Sequence, residues 1–112
     1  MGSVDIVRAL GNKYNAEILG SADDPLSAQE LSEELDVPIA TCYRRINELT
    51  EAGLLEHHDS VLSDEHRRVD VYRRNVSEIQ VTFQNDDFDV AVEERKTVKN
   101  KLDDVWRTLS DN

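Results

Sequence analysis

Apolar side chains Ile6, Val7, Leu10, Tyr14, Ile18 and Leu19 return every three or four positions, which predicts one amphipathic helix over residues 4–22. Ala22-Asp23-Asp24-Pro25 closes it. In Leu26-Ser27-Ala28-Gln29-Glu30-Leu31, Ser27 and Glu30 have capping-box spacing, and Leu26 and Leu31 have the spacing of a hydrophobic staple around the same helix start. This second helix buries Leu31 and Leu35 and ends at Asp36-Val37-Pro38. A third helix over about 38–52 puts Ile39, Cys42, Ile46 and Leu49 on one face, with Gly53 where a left-handed C-cap belongs. Its other face carries Ala40, Thr41, Arg44, Asn47, Glu48 and Glu51, with Tyr43 and Arg45 on the flanks.

From Leu54 the period changes to two. Residues 55–62 and 68–74 read as the strands of a β-hairpin with a polar tip at Ser63-Asp64-Glu65-His66-Arg67. Ile79, Val81 and Phe83 alternate over a further short run, either a third strand or an extended linker. After Asn85-Asp86-Asp87, a last helix is expected over about 89–110. Val98, Leu102, Val105 and Leu109 form a heptad-like seam there, Ala91 lies one heptad before Val98, and Trp106 stands beside the seam. Arg95 falls on the same seam, where it sets register or snorkels. A narrow seam needs a partner helix, so the expectation is a homodimer joined through Ala91, Val98, Leu102, Val105, Trp106 and Leu109; the bland alternative packs this helix on its own domain.

The 112 residues fit one core, and the expected division is a domain over 1–85 followed by a C-terminal helix over 86–112. The net charge of −11 argues against nucleic acid at first sight, because polyanion binding is driven by basic side chains displacing counterions. Its distribution changes that picture. Residues 1–37 hold 2 basic and 8 acidic side chains, residues 38–75 hold 6 and 7, and residues 76–112 hold 5 and 9. The stretch with the third helix and the hairpin is therefore nearly neutral. Only 4 of the 13 basic residues are lysine, and the acid is dispersed, as on halophilic surfaces where molar salt cuts the Debye length to about 3 Å.

Candidate chemistry is sparse. The single cysteine, Cys42, shares the phase of the core-facing residues and reads as a buried small apolar side chain, the alternative being a redox switch in the third helix. His57, His58 and His66 lack a ligand framework of suitable spacing, so no metal and no cofactor is expected. No phosphate loop, nucleophile elbow or paired carboxylates around a histidine occur, so an enzyme is not expected. With no basic and apolar leader and no run of 18 apolar residues, the expectation is a cytoplasmic protein without a membrane partner.

Two helices joined by a tight turn, then glycine and a hairpin, form a winged helix-turn-helix pattern. The run Pro38-Ile39-Ala40-Thr41-Cys42-Tyr43-Arg44-Arg45-Ile46-Asn47-Glu48-Leu49-Thr50-Glu51-Ala52-Gly53-Leu54-Leu55 resembles the recognition helix of ArsR-type winged-helix regulators. The resemblance covers residues 4–75, is strongest over 41–55, and with the acidic surface looks like the small ArsR-like regulators of haloarchaea. It implies a mainly α fold with a small β-hairpin and a C-terminal dimerisation helix. It also implies a homodimer on double-stranded DNA, regulating transcription. Carried over, it places Ala40, Thr41, Tyr43 and Arg44, with Arg45 and Asn47 beside them, at the major groove, and His66, Arg67 and Arg68 at the wing (about 55–74). The Cys-x-Cys pair of the family's metal sensors is missing, so metal sensing is not implied. The competing reading is a winged-helix protein-interaction module that leaves DNA alone and binds a protein partner through its acidic surface and terminal helix. Taken singly, Arg44 and Arg45 read alternatively as solvated helix charges, and the basic hairpin, Arg73 and Arg74 included, as an edge that resists aggregation.

Overall fold

The expected first helix is two helices. In the computed structural model, which describes residues 2–95, α1 (Ser3–Leu10) stops at Gly11 and α2 (Lys13–Ser21) starts afresh. Asn12 makes the break: its backbone is extended, and its Oδ1 accepts from the amides of Tyr14 (2.9 Å) and Asn15 (3.3 Å), the work of an N-cap. Asn15 then turns inward and its Nδ2 donates to the Ala9 carbonyl at 2.9 Å, tying the two helices together. Ile6, Ala9, Ile18 and Leu19 are buried, whereas Val7 and Tyr14 of the predicted stripe are exposed.

The second predicted helix begins as read. Two residues, Leu26–Ser27, form strand β1, and Ser27 then caps α3 (Ala28–Leu35). Ser27 Oγ accepts from the Glu30 amide at 3.1 Å, and Glu30 Oε1 accepts from the Ser27 amide at 3.0 Å. Asp36 ends the helix in the left-handed region (φ 54), and Val37 is buried in the turn. After Pro38 comes α4 (Ile39–Glu51), with Cys42, Ile46 and Leu49 buried. Gly53 follows with φ 77; its amide donates to the Thr50 carbonyl and that of Leu54 to the Leu49 carbonyl, both at 3.0 Å. These are the two bonds of a Schellman motif, which needs a left-handed residue at that place.

Strands β2 (Leu55–Leu62) and β3 (Arg68–Arg74) form the hairpin, with Leu55 opposite Arg74 and Leu62 opposite Arg68. β1 adds to the free edge of β3, giving a sheet of order β1-β3-β2 that closes over the helices. Ile18, Leu31, Ile46, Leu49, Leu54 and Leu55 fill the centre of the core.

The C-terminal expectation is corrected. β4 (Val76–Gln84) is a strand, and residues 87–94, expected to enter a helix at about 89, form its partner β5 (Asp87–Glu94). Asn85 and Asp86 are the two-residue connection, with Asn85 at φ 55, so the position expected as a domain boundary is a hairpin turn. Ala91 pairs with Gln80 on the ribbon's polar face and is no member of a helical seam. The cause is plain in Phe88, Val90 and Val92, which alternate with Asp87, Asp89 and Ala91 at period two. Val98, Leu102, Val105, Trp106 and Leu109 lie outside the described residues.

Arg95, expected on that seam, instead ends β5 as a clamp. Its amide donates to the Asn75 carbonyl (2.8 Å) and its Nη1 to the Asp23 carbonyl (2.7 Å), with the Asp23 carboxylate 3.5 Å away. Arg74 meets the same carboxylate at 2.9 Å and donates to the carbonyls of Leu19 (2.8 Å) and Val76 (2.9 Å). One aspartate and two arginines thus join the end of α2, the end of β3 and both strands of the ribbon. No helix among the described residues is long and apolar enough to cross a membrane.

Candidate nucleic-acid interface

α4 owes its position to burial on one side only. Cys42, Ile46 and Leu49 hold it against α2, α3 and β2, which leaves the opposite side outward over its whole length. Ala40, Tyr43, Arg44 and Asn47 are exposed there and Thr41 is half-buried. Ile39, expected on the core face, is 43% exposed and joins them. Its place is the first turn of the helix, ahead of Cys42, the first buried residue of α4. Ile39 and Tyr43, one turn apart, form an apolar pair beside Arg44. The acidic residues of α4, Glu48 and Glu51, sit in its C-terminal half, so the N-terminal half is the neutral-to-basic end.

Arg45 is set differently from Arg44. Its side chain is 18% exposed and its Nη1 pairs with Glu48 Oε2 at 2.8 Å, an i,i+3 pair that holds it along the helix. The basic hairpin residues divide in the same way. His66, Arg67 and Arg68 are exposed at the wing tip, where His66 takes φ 61 and the Ser63 amide donates to the Arg67 carbonyl at 2.8 Å. Arg73 is bound to Glu56 through Nε and Nη2 (3.1 and 2.8 Å), and Arg74 is the clamp described above. Of five basic side chains that look alike in the sequence, two are structural and three stand free of the sheet. Arg67 keeps a loose partner, Glu65, at 3.8 Å, with both side chains in solvent.

At the wing base, burial first, and then the neighbouring charges of Asp70 and Tyr43, push the Tyr72 phenol above its ordinary range. The His57 ring packs edge-on to Tyr72 with centroids 5.7 Å apart, and its Nε2 lies 3.0 Å from Asp70 Oδ1. Ser60 Oγ–H donates to that same oxygen at 2.7 Å. Serine, histidine and aspartate meet here with the aspartate in the middle. Ser60 bonds the aspartate and not the imidazole, so the arrangement braces the sheet and is not the order a nucleophile requires. Among the described residues no cluster of histidine, cysteine and carboxylates has the geometry of a metal site.

Residues 4–58 match a family model described as "Helix-turn-helix domain". The matched stretch is similar to a helix-turn-helix domain. The match runs from α1 into β2, so it includes α3, the Asp36-Val37-Pro38 turn and α4. No curated protein matches the sequence. Among solved structures, reduced HlyU from Vibrio cholerae N16961 is similar in fold. The TM-score is 0.54 at 22% sequence identity, covering 64% of this chain and 70% of that one.

The cleft between α3 and the wing is lined by Glu30, Glu33, Asp64 and Glu65, together with Arg67. Four carboxylates make it a poor seat for a phosphate backbone. The electrostatically most favourable surface is the outward side of the N-terminal half of α4, with His66, Arg67 and Arg68 of the wing beside the Asp64 and Glu65 carboxylates. Cys42 lies behind that face, fully buried, its Sγ 3.9 Å from the Val37 carbonyl, and burial raises its thiol pKa. Ile39 is the site residue that sequence reasoning missed. Helical phase alone put it inward, and only its position in the first turn signals otherwise.

Proposed function

We propose that this chain is a homodimeric, ArsR-like winged-helix transcription regulator of a salt-adapted, archaeal type, which binds double-stranded DNA through α4. The observation that carries the reading is the strip Ile39, Ala40, Tyr43, Arg44 and Asn47, exposed and without a carboxylate, which precedes Glu48 and Glu51 on the second helix of the helix-turn-helix, in a chain of net charge −11. Entering the major groove from its N-terminal half, α4 brings Arg44 to a guanine edge, Asn47 and Thr41 to neighbouring polar edges, and Ile39 to a thymine methyl. Arg67, Arg68 and His66 brace the flanking backbone or minor groove from the wing. Arg45, held by Glu48, orders the helix and contributes to DNA only weakly. Two copies place two such helices about 34 Å apart on an inverted repeat. In molar salt little counterion release remains, so affinity there rests on base contacts and shape.

Binding of a defined site by Arg44→Ala and by Arg45→Ala tests this. Arg44→Ala should lose about 1–3 kcal/mol, roughly 5- to 150-fold, and Arg45→Ala much less. Equal affinity of Arg44→Ala and the natural chain across specific and random DNA sinks the reading and favours a protein-binding module.

A further inference from the structure

The register of the β4–β5 ribbon sorts its side chains completely. Ile79 faces Val92, Val81 faces Val90 and Phe83 faces Phe88, so six apolar residues share one face. The other face has Glu78 opposite Glu93, Thr82 opposite Asp89 and Gln84 opposite Asp87. Only part of the apolar face is used within the chain: Ile79 and Val90 pack on the core, whereas Val81 and Val92 are each 38% exposed and Phe83 is 79% exposed. β5 packs against α1, which itself leaves Val4 and Val7 exposed. A two-stranded ribbon is at best marginally stable unless its apolar face is covered.

We infer that this face of the ribbon, together with α1, is where a second copy of the chain docks, two-fold symmetrically, with Phe83 and Phe88 of each copy at the centre. Charge selects that occupant. At −11, two copies repel over most of their surfaces, but the six residues of this face carry no ionisable group, while Glu78, Glu93, Asp89 and Asp87 point away from it. The area is sufficient. Phe83 is 79% exposed and Val81, Val92, Val4 and Val7 are 38–56% exposed, so at roughly 150–250 Å² for a large side chain the free part of the face offers on the order of 500 Å² per copy. A pair would bury about 1,000 Å², the lower limit of a specific interface, which fits a reversible dimer. The inference rests on the homodimer of the proposed function and gives it a surface; it does not depend on DNA.

Sedimentation equilibrium of the full chain in molar KCl, from about 1 to 100 µM, tests it with Phe83→Asp and, on the opposite face, Thr82→Asp. Both positions are exposed, and circular dichroism verifies that both variants fold. The expected result is a monomer–dimer equilibrium whose dissociation constant rises at least about tenfold in Phe83→Asp and stays unchanged in Thr82→Asp. Oxidative cross-linking should trap a dimer with Phe83→Cys and not with Thr82→Cys, since Cys42 is buried. A natural chain that stays monomeric throughout overturns the inference. So does a dimer that Phe83→Asp leaves as tight as before, which would retain the homodimer but move it to another surface.

Discussion

Ile39 and Ile46 lie in one helix, carry the same side chain and look equivalent by helical phase, yet the structure assigns them opposite roles. Ile46 is 1% exposed at the centre of the core, so Ile46→Ala deletes buried methylenes and leaves a cavity, at a cost of about 2–5 kcal/mol. Ile39 is 43% exposed, so truncation forfeits roughly half of the 1.5–3 kcal/mol that a fully buried isoleucine contributes. The gain in helix propensity from isoleucine to alanine offsets a few tenths of that. The net effect of Ile39→Ala on stability should be about 0.5–1.2 kcal/mol. On DNA the order reverses. Ile39→Ala loses the contact to a thymine methyl, and replacing that thymine by deoxyuridine should weaken the natural chain by a similar factor and leave the variant unaffected. Denaturant titrations followed by circular dichroism give the first comparison, and fluorescence anisotropy on paired thymine and deoxyuridine sites gives the second. If Ile39→Ala destabilises as much as Ile46→Ala, residue 39 belongs to the core and the binding strip has been drawn wrongly.

Three other outcomes follow from the same geometry. Gly53→Ala keeps the chain in a left-handed conformation that costs an L-residue about 1–2 kcal/mol, so its denaturant midpoint should fall without a change of slope. The hydrogen bonds from His57 and then Ser60 hold the Asp70 carboxyl below its usual range. That contribution is present above the ordinary aspartate pKa and lost as pH falls through the lowered one. Asp70→Asn should therefore flatten the acid limb of the stability profile, measured by thermal melts between about pH 2 and 6. Cys42, buried and with its thiol pKa raised, should react with a thiol reagent only at the rate of unfolding, and oxidant should leave DNA affinity unchanged; rapid labelling of the folded chain would refute this.

What could be read in the sequence was local. The Ser27/Glu30 capping box, the left-handed Gly53 and both strands of the wing hairpin are each specified by a few adjacent residues, and they stand where expected. Features decided by distant partners were not legible. Arg74 meets Asp23 across 51 positions, Arg73 meets Glu56 across 17, and nothing near either arginine distinguishes it from Arg67 or Arg68. The break at Asn12 escaped because the apolar spacing runs unchanged through it, although Gly11-Asn12 is the chemistry of a helix end and a cap. β5 was legible and misread. Extending the heptad spacing of Val98 back to Ala91 overrode a period-two alternation already present in Phe88, Val90 and Val92. Ile39 shows the limit of phase as a guide: periodicity tells which side of a helix faces the core, but not how far along the helix the core extends.

The central claim is that an acidic chain reads DNA sequence through the outward side of the N-terminal half of α4. Selection of random DNA fragments by the purified chain in molar KCl, with Arg44→Ala alongside, tests it most directly. The account predicts an enriched inverted repeat that the variant fails to select; absence of any enriched sequence with the natural chain would contradict it.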